Sequence, residues 1–279
     1  MKKNIILGTS LLFVLSLSSC SSLMSIKELD MNGKSINRDD LIEYFEDYEE
    51  FYEDEMVEVE NKWYSVSSKS KSTTETEDLT TTSERTISGS FYYSKFDFEN
   101  KIKLSITEKI SRKGTDSDTD EKIDENITRK VNVVYLKGIA YIKEEEKTKT
   151  DDYSSEEVSY DKGNGDFYGV LDYYLGIESL DIGTYFSSFQ NERDLDDYEF
   201  YGLDNGLAYS YYNDMESETV KRQMSFKTLD DSYQAKEIKV YSYLNLEVED
   251  YDATSEGLTV IKTKLFGSIK KPSNLSRYS

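Results

Sequence analysis

Apolar side chains recur along this chain in two rhythms, one helical and one alternating. Between residues 37 and 54 they fall at Leu41, Tyr44, Phe45, Tyr48, Phe51 and Tyr52. That i, i+3/i+4, i+7 spacing lines up one face of a helix and leaves Glu43, Glu46, Glu50 and Asp54 on the others. Asn37 is placed to cap it, and Asp39 and Asp40 sit where the helix dipole favours negative charge. The pattern predicts an amphipathic helix from about Asn37 that ends between Asp54 and Val59.

Most of the remaining pattern has period two. Ile102, Leu104 and Ile106 alternate with Lys103, Ser105 and Thr107, while Ile238, Val240, Leu244, Leu246 and Val248 keep one parity over eleven residues. Alternation of this kind marks strands with one buried face. Further strands are expected at 61–69, 86–98, 130–136, 139–146, 198–203, 207–214, 218–228 and 257–267. Two tight hairpins are expected, one about Lys137-Gly138 and one about Asp204-Asn205-Gly206, since Asn and Gly tolerate positive φ. A second short helix, Phe167–Leu175, lies in the aromatic segment between Asp166 and Gln190. Three polar stretches, 67–84, 113–126 and 144–162, read as solvated loops or extended hairpin tips. One helix, several strands, a helical crossover and more strands predict an α+β fold. Its core is a strongly curved antiparallel β-sheet with one N-terminal and one central helix packed on it.

The first residues change the picture of where the chain works. Lys2 and Lys3 precede an apolar run from Ile5 to about Leu17, too short for a bilayer span of roughly 20 residues and shaped like a secretory signal. The junction Leu17-Ser18-Ser19-Cys20 resembles the lipobox of bacterial lipoproteins, and Cys20 is the sole cysteine. The resemblance implies cleavage before Cys20, lipid attachment to that residue, export, and anchoring on the extracytoplasmic face of a membrane. Two acyl chains suffice for stable anchoring. The expected organisation is a signal peptide at 1–19, a lipidated tether at 20–36 and a single α+β domain at 37–279. Without a second cysteine no internal disulfide can form, so a hydrophobic core must hold the fold.

The formal charge is −22. Cleavage removes Lys2, Lys3 and no acid, leaving 32 basic and 56 acidic residues, a charge of −24. So acidic a body should repel nucleic acid and anionic headgroups, leaving membrane contact to the anchor. Alanine occurs four times and proline once against 24 tyrosines, a skew typical of an AT-rich genome.

Several chemistries drop out. The chain has no histidine, which removes Ser-His-Asp and Cys-His catalysis and histidine-ligated zinc. Gly163-Asn164-Gly165 lacks the lysine and spacing of a phosphate loop. Ser68-Lys69-Ser70-Lys71 lies in a polar tract without the companion motifs of penicillin-binding enzymes. Asp116, Asp118 and Asp120 fail as a calcium loop because Glu121 and Ile127 stand where Gly and Glu are needed. No catalytic residue, metal ligand or cofactor is assigned, and an enzyme is not expected. Tyr209, Tyr211, Tyr241 and Tyr243 could line an aromatic groove or simply suit a half-buried pleated surface. Trp63 reads as a core residue at the start of a strand.

The signal junction, the amphipathic helix, the hairpin Val133–Ile142 and the late strand Glu237–Leu246 together resemble the LolA/LppX-like half-barrel lipoproteins of bacterial envelopes. The resemblance would span residues 37 to about 270. It implies a half-barrel whose apolar cavity, between sheet and helices, binds or carries acyl chains. On this expectation Leu41, Tyr44, Phe45, Tyr48 and Tyr52 line a site for a lipid or other apolar or amphipathic ligand. The alternative is a surface-exposed interaction protein or adhesin with no ligand cavity, displaying its acidic loops.

Overall fold

Alternating apolar positions on successive segments can bury one face only by pairing into a sheet, and the described residues do so in twelve strands. The computed structural model describes residues 25–54, 61–115, 119, 121–186, 189, 195, 197–229 and 233–278. The side chains of Phe45, of residues 49–54 and of Thr184 are outside that description. The strands are β1 (Lys34–Ile36), β2 (Lys62–Thr76), β3 (Leu79–Tyr93), β4 (Lys101–Thr115), β5 (Lys122–Leu136) and β6 (Ile139–Lys149). They continue with β7 (Ser154–Asn164), β8 (Tyr198–Leu203), β9 (Gly206–Met215), β10 (Glu218–Thr228), β11 (Ala235–Val248) and β12 (Tyr251–Lys264). Helix α1 spans Arg38–Asp54, α2 Phe167–Leu175 and α3 Ile182–Phe186.

All twelve strands form one antiparallel sheet in the order β1-β8-β9-β10-β11-β12-β2-β3-β4-β5-β6-β7. It consists of two meanders joined where β12 pairs with β2 over Tyr251–Lys264 and Trp63–Thr76. The sheet is open, with β1 and β7 at its edges. Edge strand β7 is almost wholly exposed and carries Glu156, Glu157, Asp161 and Lys162, charges that discourage pairing with another chain.

Local sequence sets the turns and helix ends. Lys137 and Gly138 both have positive φ, 54° and 76°, as the two-residue turn between β5 and β6 requires. Gly206 closes the β8–β9 turn at φ 130°, where a Cβ would collide with the Phe226 carbonyl. At the start of α1, the Asp40 amide donates to Asn37 Oδ1 at 2.9 Å and the Asn37 amide donates to Asp40 Oδ2 at 3.2 Å, a reciprocal capping box. The Gly169 amide donates to Asp166 Oδ1 at 2.6 Å at the start of α2, and Gly176 ends that helix at φ 65°.

The core lies on one face of the sheet, between the strand ends near the Lys137-Gly138 turn and the helices. Tyr64 and Phe91 stack at 4.8 Å, Phe167 of α2 meets Phe91 edge-on at 5.8 Å, and Phe186 of α3 meets Tyr209 at 5.8 Å. Tyr64 is fully buried, and its hydroxyl donates to the Ala235 carbonyl at 2.8 Å. Apolar cover ends along the row Met224, Val240, Ile87, Ile106 and Val131. Beyond that row the strands run on with mostly polar side chains on both faces, and the apolar ones left on the inner face, Ile110, Ile127, Val220, Leu244 and Leu246, are only half-buried.

Of the two expectations for the three polar stretches, solvated loops or extended hairpin tips, the structure bears out the second. Residues 67–84 are the far ends of β2 and β3 about a turn at Glu77 and Asp78, the stretch 113–126 opens and closes with β4 and β5, and 144–162 belongs mostly to β6 and β7. Side-chain pairs across the ladder replace a core there. Ser68 and Thr259 hydroxyls meet at 2.9 Å. Arg129 reaches Glu108 at 3.3 Å, Glu144 at 2.9 Å and Glu146 at 2.8 Å, and Arg112 reaches Glu125 at 3.3 Å. Arg129 is two-fifths exposed, so each pair contributes well under about 1 kcal/mol. The Arg129→Ala variant should lose about 1 kcal/mol in urea unfolding at low salt, and the loss should shrink in concentrated NaCl. A salt-independent loss would mean that packing of its stem, not charge, is what matters.

Candidate functional site

Three surfaces could bear function, and the helix side comes first. Leu41 is fully buried in the core. Tyr44 meets Tyr233 edge-on at 5.9 Å, and Tyr48 meets the same ring at 4.8 Å. The Tyr48 hydroxyl donates to Asp181 Oδ1 at 2.5 Å, an oxygen that also accepts from the Gly183 amide at 2.9 Å. Gly183 lies so close beneath the Tyr48 ring that a Cβ there would enter it. Burial, and then the neighbouring Tyr233 and Asp181, push the Tyr44 phenol well above its ordinary value. Tyr44 and Tyr48 therefore converge on Tyr233 before β11 and, for Tyr48, on Asp181 and Gly183 at the start of α3, while Leu41 is buried in the core. The side chains of Phe45 and Tyr52 lie outside the described residues, as do Cys20 and the signal junction.

The other aromatic candidates are divided between the faces. Tyr209 and Tyr211 lie on the helix side, where Tyr211 packs on Tyr198 at 4.8 Å. Tyr241 and Tyr243 have the opposite parity. Tyr241 is buried on the outer face, and its hydroxyl donates to Glu256 at 3.1 Å. Trp63 begins β2, but on the outer face, tilted against Tyr92 at 5.0 Å with Lys264 5.6 Å above its ring.

The second surface is the outer face of β4 to β7. Successive strand residues point to opposite faces, and the parity of Ile102, Leu104 and Ile106 defines the inner one. Inner positions of these four strands hold Arg112 and Arg129 against Glu108, Glu125, Glu144, Glu146, Glu157 and Asp161, a sum of −4. Outer positions hold ten lysines, at 101, 103, 109, 113, 122, 130, 143, 147, 149 and 162, against Asp124, Glu145 and Glu156, a sum of +7. Lys143 pairs with Glu145, and Lys147 pairs with Glu156 at 2.9 Å. Lys103, Lys109, Lys113, Lys130 and Lys149 make no ion pair among the described residues and are exposed. The parity was visible in sequence, since the β4 lysines are all odd-numbered. It is obscured because the polar stretches 113–126 and 144–162 hold too few apolar positions to show strand parity.

The C-terminal segment borders this face. After β12 it passes Gly267 over the Trp63 ring and ends with Tyr278 edge-on to Tyr141 at 5.6 Å and to Tyr160 at 5.2 Å. Arg277 Nη1 donates to the Tyr160 hydroxyl at 3.1 Å. Between this segment and the strands lies a cleft of about 440 Å³. Lys103, Lys143, Lys270 and Lys271 line it with Asn132, Asn274, Tyr160 and Tyr278, and no carboxylate is among the lining residues. The cleft opens onto the lysine-bearing strands.

The third surface is a cleft of about 1120 Å³ where the N-terminal segment meets the sheet edge, lined by Met31, Lys34, Lys227, Lys236, Glu237 and Lys262 among others. There Glu237 is paired with Lys239 at 2.8 Å and Lys262 at 2.5 Å. Its burial would raise the carboxyl pKa, but the two ammonium hydrogen bonds outweigh that and hold it below the ordinary carboxylate range. The N-terminal segment is fastened beside it. Leu29 donates to Gln223 at 2.8 Å and Glu28 meets Lys221 at 2.5 Å, so residues from 28 onward lie against the sheet.

Among the described residues no three His, Cys, Asp or Glu side chains converge as a metal-ligand group, and no helix is long and apolar enough to cross a membrane. Asp116, Asp118 and Asp120 lie outside the described residues. No protein-family model matches the chain, and no curated protein matches it. Among solved structures it is similar to the transport unit of the autotransporter AIDA-I from Escherichia coli, at 11% identity and TM-score 0.29 over 76% of this chain and 93% of that one. It is also similar to the translocator domain of the autotransporter NalP from Neisseria meningitidis, at 6% identity and TM-score 0.20 over 80% and 96%. The outer membrane protein OpdK from Pseudomonas aeruginosa matches at 7% and 0.18 over 67% and 54%. Scores this low carry no weight for fold or function.

Proposed function

We propose that this chain is an exported lipoprotein, anchored through Cys20, whose sheet serves as an interaction surface outside the membrane. One observation carries the reading. The strands continue well past the end of the core as a layer in which most side chains are polar and no apolar one is fully buried, an extent that burial of apolar area does not call for. The signal-like start and the lipobox-like Leu17-Ser18-Ser19-Cys20 support the anchor. The helices on one face of an open antiparallel sheet are in keeping with the half-barrel reading and its curvature.

A carrier of acyl chains is the second reading. It is favoured by a cleft of about 570 Å³ on the helix side, where Ile106, Val131, Ile142, Tyr173 and Tyr174 share the lining with Arg85, Glu108 and Arg129. Its mixed lining and the packing of Leu41, Tyr44 and Tyr48 against protein weigh against it. Native mass spectrometry of residues 21–279 from a bacterial host, with organic extraction, separates the two. The interaction reading expects a mass without lipid. Near-stoichiometric lipid would overturn it in favour of the carrier.

A further inference from the structure

We propose that the outer face of β4 to β7, with the cleft beneath the C-terminal segment, binds a linear anionic polysaccharide. The inference rests on the reading of the sheet as an interaction surface and names the partner. The first argument is charge. A chain of net charge −22 carries on these strands a face of +7, backed by an inner face of −4. Screening limits the reach of exposed charges to about 8 Å at physiological ionic strength. A polymer lying on the lysines is therefore governed by them and not by the acidic far tips of the hairpins.

The second argument is shape. From Lys103 to Lys113 along β4 is about 34 Å, and the four strands are about 14 Å across, a track for several sugar units in extended form. Lysine presents a hydrated point charge that tolerates sulfate or carboxylate in many orientations, whereas paired recognition of phosphate favours arginine's fork. Here the strand arginines of this block lie on the other face. Between the lysines the outer positions are mainly Ser105, Thr107, Thr128, Asn126 and Asn132, which can exchange hydrogen bonds with sugar hydroxyls. At one end the carboxylate-free cleft, at about 440 Å³, is of the size that encloses a small ligand and would hold one charged sugar between Lys103, Lys271 and Tyr160.

Other polyanions fit less well. Single-stranded nucleic acid binds through exposed aromatic platforms, and the exposed middle of this face has none. A lipid surface is gripped by apolar side chains inserted between headgroups, whereas across the ladder Lys109 faces Thr128 and Glu84, Lys113 faces Thr80 and Asp124, Lys130 faces Thr107 and Glu145, and only Lys103 faces an apolar side chain, Val134.

The test uses residues 21–279 on immobilised heparin and, in solution, heparin, neutral dextran, duplex DNA and vesicles containing anionic lipid, across a salt series. The variants are Lys103→Gln/Lys109→Gln/Lys130→Gln and, as an equal change of charge elsewhere, Lys34→Gln/Lys227→Gln/Lys236→Gln. All are exposed or edge lysines, and far-ultraviolet circular dichroism confirms that each variant folds. The expected result is heparin binding without dextran binding, and a loss of at least about tenfold in the first variant. Its log K against log salt slope should fall by about one for each lysine in contact. The control variant should bind as the parent does. No heparin binding at 0.15 M salt, equal losses in both variants, or tighter binding to DNA or vesicles would each overturn the proposal. Near-stoichiometric lipid in the mass spectrum would overturn the interaction reading and the proposal with it, whereas a lipid-free mass with no heparin binding would overturn this proposal alone.

Discussion

Replacing Phe91 with alanine should cost about 3–5 kcal/mol, the range for removing a large aromatic from a packed core. That is a large fraction of the 5–15 kcal/mol that holds most domains folded. Phe91 is fully buried and joins the sheet to the helices. It stacks on Tyr64 at 4.8 Å and takes the edge of Phe167 at 5.8 Å, so truncation opens a void between β2, β3 and α2 together. The floor beside it is rigid sheet, which cannot collapse far to fill the space. A conservative comparison is Phe91→Leu, which should recover more than half of the loss because most of the buried volume returns. Urea unfolding followed by circular dichroism measures both. If Phe91→Ala costs less than about 1 kcal/mol, the far, two-faced part of the sheet carries the stability, and the core is not what holds the fold.

The division between that core and the far sheet also explains what the sequence could and could not disclose. Where one face is buried, parity is enforced, and Ile102, Leu104 and Ile106 show it directly. The turn at Lys137-Gly138 is legible for a related reason, since two successive positive φ angles leave few residue choices. Where neither face is buried, nothing requires alternate residues to be apolar. The run Ser67–Thr76 then looks like a loop although every residue is paired in β2. Ser, Thr and Lys give way to strand geometry there because two neighbouring strands already present a ladder of donors and acceptors. The candidate site suffered from the same blindness. Helical spacing located Leu41, Tyr44 and Tyr48 on one face, but spacing cannot tell whether that face meets a ligand or Tyr233 and Asp181. Net charge misled in the other direction, because a sum of −22 says nothing of how Lys103, Lys109, Lys113 and Lys130 share one side of a sheet.

Alkaline pH should unfold this protein cooperatively, with the loss beginning near pH 10. Tyr44, Tyr168, Tyr185 and Tyr209 all have phenols pushed above the ordinary value of 10.0, and in each the first cause is burial. For Tyr209 the neighbouring Arg222 offsets part of that. A group whose pKa is raised by folding gives its full stabilisation below the unfolded value. That stabilisation is lost as pH climbs through the folded value, because the unfolded chain can release protons that the folded chain must keep. Each such phenol costs at most about 1.4 kcal/mol per pH unit above 10, and four together about 5 kcal/mol per unit, enough to exhaust a typical domain within two or three units. Below that range, stability should be flat down to the carboxylates, since the chain has no histidine to titrate between. The measurement is a parallel titration of tyrosinate absorbance and far-ultraviolet circular dichroism. The absorbance of the exposed rings should rise while the sheet signal holds. The remaining absorbance should then rise in the same step in which that signal falls. A smooth ionisation of all the tyrosines centred near pH 10 with the sheet intact would mean that the rings beneath α1, α2 and α3 are open to water, and the packing described for the helix side would have to be abandoned.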